Sequence, residues 1–365
     1  CGESFTVCLD SNGNLWTYGL NDCGQLGLRD FAIKYIPTEV PFFERISAID
    51  CGQSHVACLS FEGEVWCFGD NSFSQLGVNA KYSKITTVNS PQKVNNLAEI
   101  VSIQCGKSHT VCINENRQAL AFGSNQNRQI DENYTRKHYR NNPVKNVYKP
   151  TVVGEGVVSV TGYDNIVVLD ENGRIYYRGL SEQGRFGEKI GKNIFAIFCY
   201  EGIFDEIQNE VKTLCCTKAS TLLLTMTGDV YLVGCINGFY SKKFVLIDGL
   251  PEIEQVFPGI LGYKLLDIDG NLWLFDGDNI KKVEEVSMIT SVSRGGNHSI
   301  VGDRNGDVWV FGTNQNGQLG LGFGASSRKP VQDVPIKTSQ KYAKIIQGSR
   351  TRLKSARKQN ALLKL

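Results

Sequence analysis

The chain has 365 residues with 39 basic and 37 acidic side chains, a formal charge of +2, which excludes a uniformly basic nucleic-acid coat and a strongly acidic tail. Hydrophobic residues at 41% and aromatics at 10% supply a packed core and exclude a disordered chain. Glycine is in excess, with 38 residues against a usual share of about 7%, and without a collagen period this predicts many tight turns between short strands. The longest wholly apolar stretch, Ile194 to Tyr200, is far short of the roughly 20 residues of a membrane helix. The chain opens on Cys1 without an initiator methionine, so targeting is not read from its start.

A repeat runs along the chain. Cys1-Gly2-Glu3-Ser4-Phe5 opens a unit in which Trp16 follows Cys1 by 15 residues. The same interval separates Cys51 from Trp66, Cys105 from Leu120, Thr161 from Tyr176, Cys216 from Tyr231, Pro258 from Trp273 and Arg294 from Trp309, giving seven copies. Successive aromatic-phase residues lie 36 to 56 apart, so the variation belongs to the connections. Each copy reads as a hairpin, as in Val56 to Leu59, a turn with Gly63, and an inner strand from Val65 to Phe68. The turn glycine recurs at 13, 63, 173, 228, 270 and 306, and a second glycine follows the inner strand at 19, 69, 123, 179, 234 and 312. Further strands are predicted to open at Pro37, Pro91, Pro150 and, more loosely, Pro330. Another strand ends each connection with an apolar pair three apart, such as Ile46 and Ile49, Ile100 and Ile103, or Ile289 and Val292.

Four short antiparallel strands repeated seven times predict an all-β fold, a seven-bladed β-propeller. Tyr342 to Gly348 repeats the spacing of Ile46 to Gly52, so the C-terminal segment is expected to supply the strand missing ahead of Cys1 and close the ring. Residues 1–349 are then the propeller and 350–365 a basic tail.

The phrases Cys-Gly-x-Ser-His and Gly-x-Val-Trp-x-Phe-Gly, with the closing Gly24-Gln25-Leu26-Gly27, Ser74-Gln75-Leu76-Gly77 and Gly317-Gln318-Leu319-Gly320, resemble repeats of the regulator of chromosome condensation family. The Trp-Asp dipeptide of a WD-type propeller is absent, and Gly295-Gly296 is the one kelch-like doublet at a repeat opening. Copy three replaces the closing phrase with Arg128-Gln129-Ile130-Asp131, copy four has Gly184-Arg185-Phe186-Gly187, and copies five and six lose it.

Cys8, Cys58 and Cys112 share a phase with Val168, Leu223, Leu265 and Val301, which marks them as apolar core residues. Adjacent Cys215 and Cys216 point to opposite faces, so no zinc cluster is expected, and unpaired buried thiols suit a reducing compartment, cytoplasm or nucleus. His55, His109 and His298 share a phase with Phe5, Asn165, Ser220 and Gly262, so a hydrogen-bonded structural role is expected rather than a metal ring. Asp10, Asp170, Asp229, Asp269 and Asp307 sit at hairpin turns. No nucleophile elbow, His-Glu-x-x-His or Walker loop occurs, so no catalytic residue, cofactor or metal is predicted.

Function is therefore sought in loops and tail. The third connection carries Arg128, Arg136, Lys137, His138, Tyr139, Arg140 and Lys145 against only Asp131 and Glu132, a pattern suited to an acidic protein surface or to phosphates, or else to a solvated loop. The tail holds six basic residues, Arg350 and Arg352 among them, and no acidic one, which leaves a formal −4 on residues 1–349. It reads as a nuclear signal, a phosphate-binding arm, the start of a further domain or a solvated extension. Two function classes remain. One is a non-catalytic, monomeric propeller that binds protein partners, favoured by the degenerate copies four to six. The other, implied by the resemblance, is a guanine-nucleotide exchange factor for a Ran-like or other small GTPase.

Overall fold

The computed structural model describes residues 1–338, apart from 11, 43, 79–84, 132–145, 182–193, 201–206, 208–210, 260–261 and 323–330. Blade 1 comprises β1 (Phe5–Leu9), β2 (Leu15–Gly19) and β3 (Lys34–Glu39), and blade 2 comprises β4 (Ile46–Cys51), β5 (His55–Ser60), β6 (Val65–Asp70) and β7 (Thr87–Lys93). Blade 3 holds β8 (Ile100–Cys105), β9 (His109–Asn114), β10 (Ala119–Gly123) and β11 (Val147–Gly154), and blade 4 holds β12 (Val157–Thr161), β13 (Ile166–Asp170), β14 (Ile175–Ser181) and β15 (Ile194–Tyr200). Blade 5 follows with β16 (Val211–Cys216), β17 (Ser220–Thr225), β18 (Val230–Ile236) and β19 (Phe239–Leu246). Blade 6 has β20 (Ile253–Pro258), β21 (Tyr263–Asp267), β22 (Leu272–Phe275) and β23 (Ile280–Lys282), and blade 7 has β24 (Ile289–Arg294), β25 (His298–Asp303), β26 (Val308–Thr313) and β27 (Val331–Lys337).

Every blade is an antiparallel meander in chain order, and together they form the predicted seven-bladed propeller. The ends of β4, β8, β12, β16, β20 and β24 line one axial channel of about 290 Å3, so the first strand of each four-stranded blade is innermost. The tryptophan strand, read from sequence as inner, is instead third from the axis. The strand expected over 342–348 lies outside the described residues, and blade 1 shows three strands among them.

Two periodic irregularities explain the sequence pattern. Ile46 pairs with Ser60 and Ala48 with Leu59, so Ser47 is an extra residue, and the same shift recurs in β8, β12, β16, β20 and β24. A bulge restores a shared face to positions three apart, which an unbroken strand would place on opposite sides, and this accounts for the Ile46 and Ile49 type of pair. Pro37, Pro91 and Pro150 open no strand but lie inside one. In β3, Thr38 pairs with Thr17 and Lys34 with Gly19, leaving Pro37 in a bulge opposite Tyr18, and Pro91 and Pro150 occupy equivalent bulges in β7 and β11. In blade 7 that place belongs to Pro335, between Ile336 and Gln332, while Pro330 lies outside the described residues. These strands form the outer edge, where a missing N–H breaks no ladder.

The hairpins keep perfect register, with Cys8 opposite Trp16, Cys58 opposite Trp66 and Val301 opposite Trp309. An aspartate just before the turn fixes four of them. Asp10 accepts from Asn14 N at 2.9 Å and from Trp16 Nε1 at 3.3 Å, Asp267 and Asp303 hold Trp273 and Trp309 at 2.9 and 3.3 Å, and Asp170 accepts from Tyr176 Oη at 3.1 Å.

Apolar clusters fill the junctions between consecutive blades. Phe5, Ile46, Val56 and Phe68 join blades 1 and 2, whereas Cys8, Tyr18, Ile300, Val310 and Leu319 join blade 7 back to blade 1 and so close the ring. Cys58 and Cys112 are fully buried in such clusters, and Cys215 and Cys216 enter two different ones, as expected for opposite faces. Burial pushes the Cys8 thiol up to about 11, so it stays neutral.

Candidate functional site

The loop after the third strand follows a fixed plan. Asn21 Oδ1 accepts from Leu26 N at 3.0 Å and Gln25 Oε1 from Cys23 N at 2.8 Å. Asn71 with Leu76 and Asn314 with Leu319 repeat the first bond at 3.2 and 3.0 Å, and Gln75 and Gln318 repeat the second, both at 2.8 Å. These amides curl the loop so that its leucine enters the junction with the next blade. Leu26 and Leu76 are 0% exposed and Leu319 is 1%.

Blade 3 has lost the closing phrase from its sequence, yet it keeps this device. Asn125 Oδ1 accepts from Ile130 N at 3.0 Å, Gln129 Oε1 accepts from Asn127 N at 3.0 Å, and Ile130 is buried like the leucines. Arg128 takes the left-handed position, at φ 57°, that Gly24 and Gly317 occupy at 76° and 77°. The cost of about 1–2 kcal/mol for a residue with Cβ is small beside the buried isoleucine and the two amide bonds.

The next glycine in the loop meets an aromatic ring of the following blade. A Cβ on Gly27 would stand 2.9 Å from Phe68, on Gly77 2.8 Å from Phe122, and on Gly320 2.9 Å from Tyr18. At the junction of blades 3 and 4 the two phases hold Asp131 and Arg178 instead, and the guanidinium donates to the carbonyls of Gln129, Ile130 and Val153 at 3.2, 2.9 and 3.2 Å. Sequence showed Asp131 only as the end of an altered closing phrase and did not single out Arg178, because the exchange is informative only when the two are seen together.

His55 and His298 clasp neighbouring blades. His55 Nε2 lies 3.1 Å from Thr110 Oγ1, whose hydroxyl donates to Gln75 O at 2.8 Å, so the imidazole must be the donor. Serine and tyrosine do the same work between blades 5 and 6, where Ser220 Oγ lies 2.9 Å from Tyr263 Oη. Each ring also covers the glycine three residues before it: a Cβ on Gly52 would stand 2.1 Å from His55 Cε1. The structural role expected of these side chains is the one they have.

Among the predicted binding residues, Arg128 is half-buried in its turn, with its N–H donating to Asn125 O at 2.9 Å. Arg136, Lys137, His138, Tyr139, Arg140 and Lys145, with Arg350 and Arg352, lie outside the described residues. The third connection returns at Asn146, whose side-chain amide donates to Ser72 O of the blade 2 loop at 3.5 Å. Next to it Tyr148 is 41% exposed, with the Lys149 ammonium 5.9 Å from its ring centre. Sequence reasoning missed a second exposed group, Phe31 and Ile33 on the approach to β3 with Tyr35 and Ile36 in its first half. The run of large apolar residues over 31–36 was the available signal.

A ring of seven antiparallel blades, clasped by side chains that recur at fixed phases, defines a repeat-built β-propeller. The regulator of chromosome condensation (RCC1) repeat matches residues 12–59, 62–113 and 305–349, and a second description of that repeat matches 46–75, 100–129 and 289–318. The chain carries repeats of this family over those residues. It is 27% identical over 230 residues to the serine/threonine-protein kinase Nek9 of Xenopus laevis, covering 61% of this chain and 22% of the kinase. It is 25% identical over 350 residues to the regulator of chromosome condensation of Xenopus laevis, covering 92% of this chain and 64% of that protein. The chain thus spans less than two thirds of the length of both relatives. Among solved structures, human WBSCR16 superposes with a TM-score of 0.73 at 18% identity, covering 90% of this chain and 95% of that one. Prp20p of Saccharomyces cerevisiae gives 0.56 at 20% identity, covering 93% and 76%.

Proposed function

We propose that this chain is a non-catalytic interaction propeller that binds protein partners through connections on its faces, without a cofactor. One observation carries the reading: histidines, aspartates and amides that recur in the repeats are engaged in structural contacts, as in His55 with Thr110 across a blade junction and Asn21 with Leu26 within a loop. The chemistry left for recognition belongs to the connections. The basic third connection, with Arg136, Lys137 and Arg140 at its centre, and Arg350 and Arg352 of the tail are the candidate contacts for an acidic partner surface. Free, buried thiols such as Cys58 and Cys112 fit a cytoplasmic or nuclear setting.

A second reading, nucleotide exchange on a small GTPase, is supported by the match along 92% of the chain to a regulator of chromosome condensation, and by the fold shared with Prp20p, which is described as binding Gsp1p and histones. Release of labelled nucleotide from Ran-, Rab- and Arf-type GTPases separates the two. Acceleration of any one establishes the second reading. With none, capture of partners by the chain and by a variant with Arg136, Lys137 and Arg140 reversed in charge tests the first, which fails at this loop if the captured set is unchanged.

A further inference from the structure

The junction between blades 6 and 7 is built differently from those that follow blades 1, 2, 3, 5 and 7. Where a loop leucine plugs the gap, the aromatic of the next blade is sealed: Phe68 and Phe122 are 0% exposed and Tyr18 is 1%. Blade 6 has no such loop. After β22 the chain turns at once through Asp276, which accepts from Asn279 N at 2.8 Å, and enters β23. Blade 5 lacks the loop as well, but Ile236 and Tyr263, 7% and 2% exposed, fill its junction with blade 6.

Blade 7 nevertheless keeps the residues that receive a loop. Phe311 stands in the phase of Phe68 and Tyr18, and Ser299 in the phase of Thr6 and Thr110, whose hydroxyls donate to the glutamine carbonyls Gln318 O and Gln75 O at 2.9 and 2.8 Å. With nothing inserted, a cleft of about 700 Å3 opens there and Phe311 is only half-buried. Leu274, Ile280 and Phe311 form its apolar wall. Lys264 and Lys281 also line it, with the Lys264 ammonium 5.7 Å from the Phe311 ring centre, whereas the carboxylate of Asp276 is turned into its own hairpin, accepting from Asp278 N and Asn279 N.

We propose that this cleft docks a peptide segment of a protein partner that carries a leucine or isoleucine beside a carboxylate, supplying in trans the plug that other junctions carry in cis. The aliphatic side chain fills the gap against Phe311 and Leu274, the carbonyl before it accepts from Ser299 Oγ, and the carboxylate pairs with Lys264 and Lys281. A lysine-lined cleft suits an acidic segment and repels the chain's own tail, with its six basic residues. The inference rests on the interaction reading above and gives that reading a site.

The probe is a synthetic peptide copying the chain's own loop, Asn-Gln-Asn-Gly-Gln-Leu-Gly, with a glutamate added at each end, titrated into the full chain by fluorescence polarisation. Saturable one-to-one binding is expected, weakened about tenfold or more when the peptide leucine becomes alanine, and several-fold by Lys264→Glu. Because Phe311→Ala risks misfolding, a second variant replaces Gly277 and Asp278 with the seven-residue loop of residues 314–320. It should lose peptide binding and melt no lower than the parent. Absence of saturation, or binding indifferent both to the leucine and to Lys264→Glu, overturns the proposal. Binding that emerges only when residues 350–365 are removed assigns the cleft to the tail and also overturns it. A partner still captured through the third connection, while the peptide fails, removes the cleft and leaves the interaction reading intact.

Discussion

His298 Nε2 stands 3.0 Å from Thr6 Oγ1, across the seam where the last blade meets the first. Since the Thr6 hydroxyl gives its own hydrogen to Gln318 O at 2.9 Å, the imidazole donates, and both groups are buried. At the junction of blades 1 and 2 the same two phases hold Phe5 and Val56, an apolar pair in one cluster. Thr6→Val should therefore cost about 1–3 kcal/mol by stranding a buried imidazole donor, and adding His298→Phe should recover most of the loss. Urea denaturation of the single and double variants measures the coupling, and strictly additive losses would count against the clasp.

Acid should loosen the ring before it reaches the carboxylates. Burial, reinforced by the charge of His109, holds His55 down at about 3, and burial holds His109 at about 4, against an ordinary 6.5. Both are neutral in the folded chain, while the unfolded chain takes up protons below pH 6.5, so their stabilisation is complete above 6.5 and is lost as pH falls toward 4. The urea midpoint should be lower at pH 5 than at pH 7.5, and His109→Gln should flatten that difference.

A second acid-sensitive step belongs to the turn aspartates. Burial alone would raise Asp267, but hydrogen bonds from Trp273 and Asn271 outweigh it and hold the carboxyl below its usual 3.8. Its contribution is therefore present above 3.8 and lost as pH drops below it. Asp267→Ala should destabilise by about 1–3 kcal/mol at neutral pH and change the emission of Trp273, whose indole loses its acceptor. An unchanged spectrum would refute that contact.

At the junction of blades 3 and 4, Arg178→Phe alone should destabilise, because Gln129, Ile130 and Val153 lose a shared donor and the new ring meets Asp131 rather than glycine. Adding Asp131→Gly recreates the pairing of Gly77 with Phe122 and should restore stability. Recovery no greater than that of Asp131→Gly by itself would show that the two phases are not coupled.

Gly52→Ala tests close approach rather than backbone freedom. Its Cβ would stand 2.1 Å from His55 Cε1 and 2.6 Å from the Gly106 carbonyl oxygen, and the second neighbour is backbone of the adjoining blade. A loss of several kcal/mol is expected from such overpacking, read as a lower thermal midpoint with the β-type circular dichroism retained below it.

The repeat was legible because the hairpin is locally determined: glycine turns and the exact register of Cys8 with Trp16 fix an interval that no neighbour alters. Radial order was not, since Val65 to Phe68 is apolar on both faces and a hairpin alone does not say which strand faces the axis. The prolines misled because Pro37 was read as a strand boundary, whereas an outer edge with a bulge accepts it inside the strand. Arg128 hid a conserved geometry behind a changed sequence, as its left-handed backbone is tolerated at modest cost. The cleft beside Phe311 was illegible for a plainer reason: it is created by a loop that is missing, and becomes visible only when junctions are compared in space.

The clasp of Thr6 to His298 joins groups 292 positions apart. During synthesis the first blade therefore waits, with Tyr18 and Cys8 uncovered, until the segment bearing Leu319 has left the ribosome. Such a late closure leaves the earliest blades of the ring with apolar surface uncovered for longest as they are made, and makes the seam between first and last blades the last junction to form.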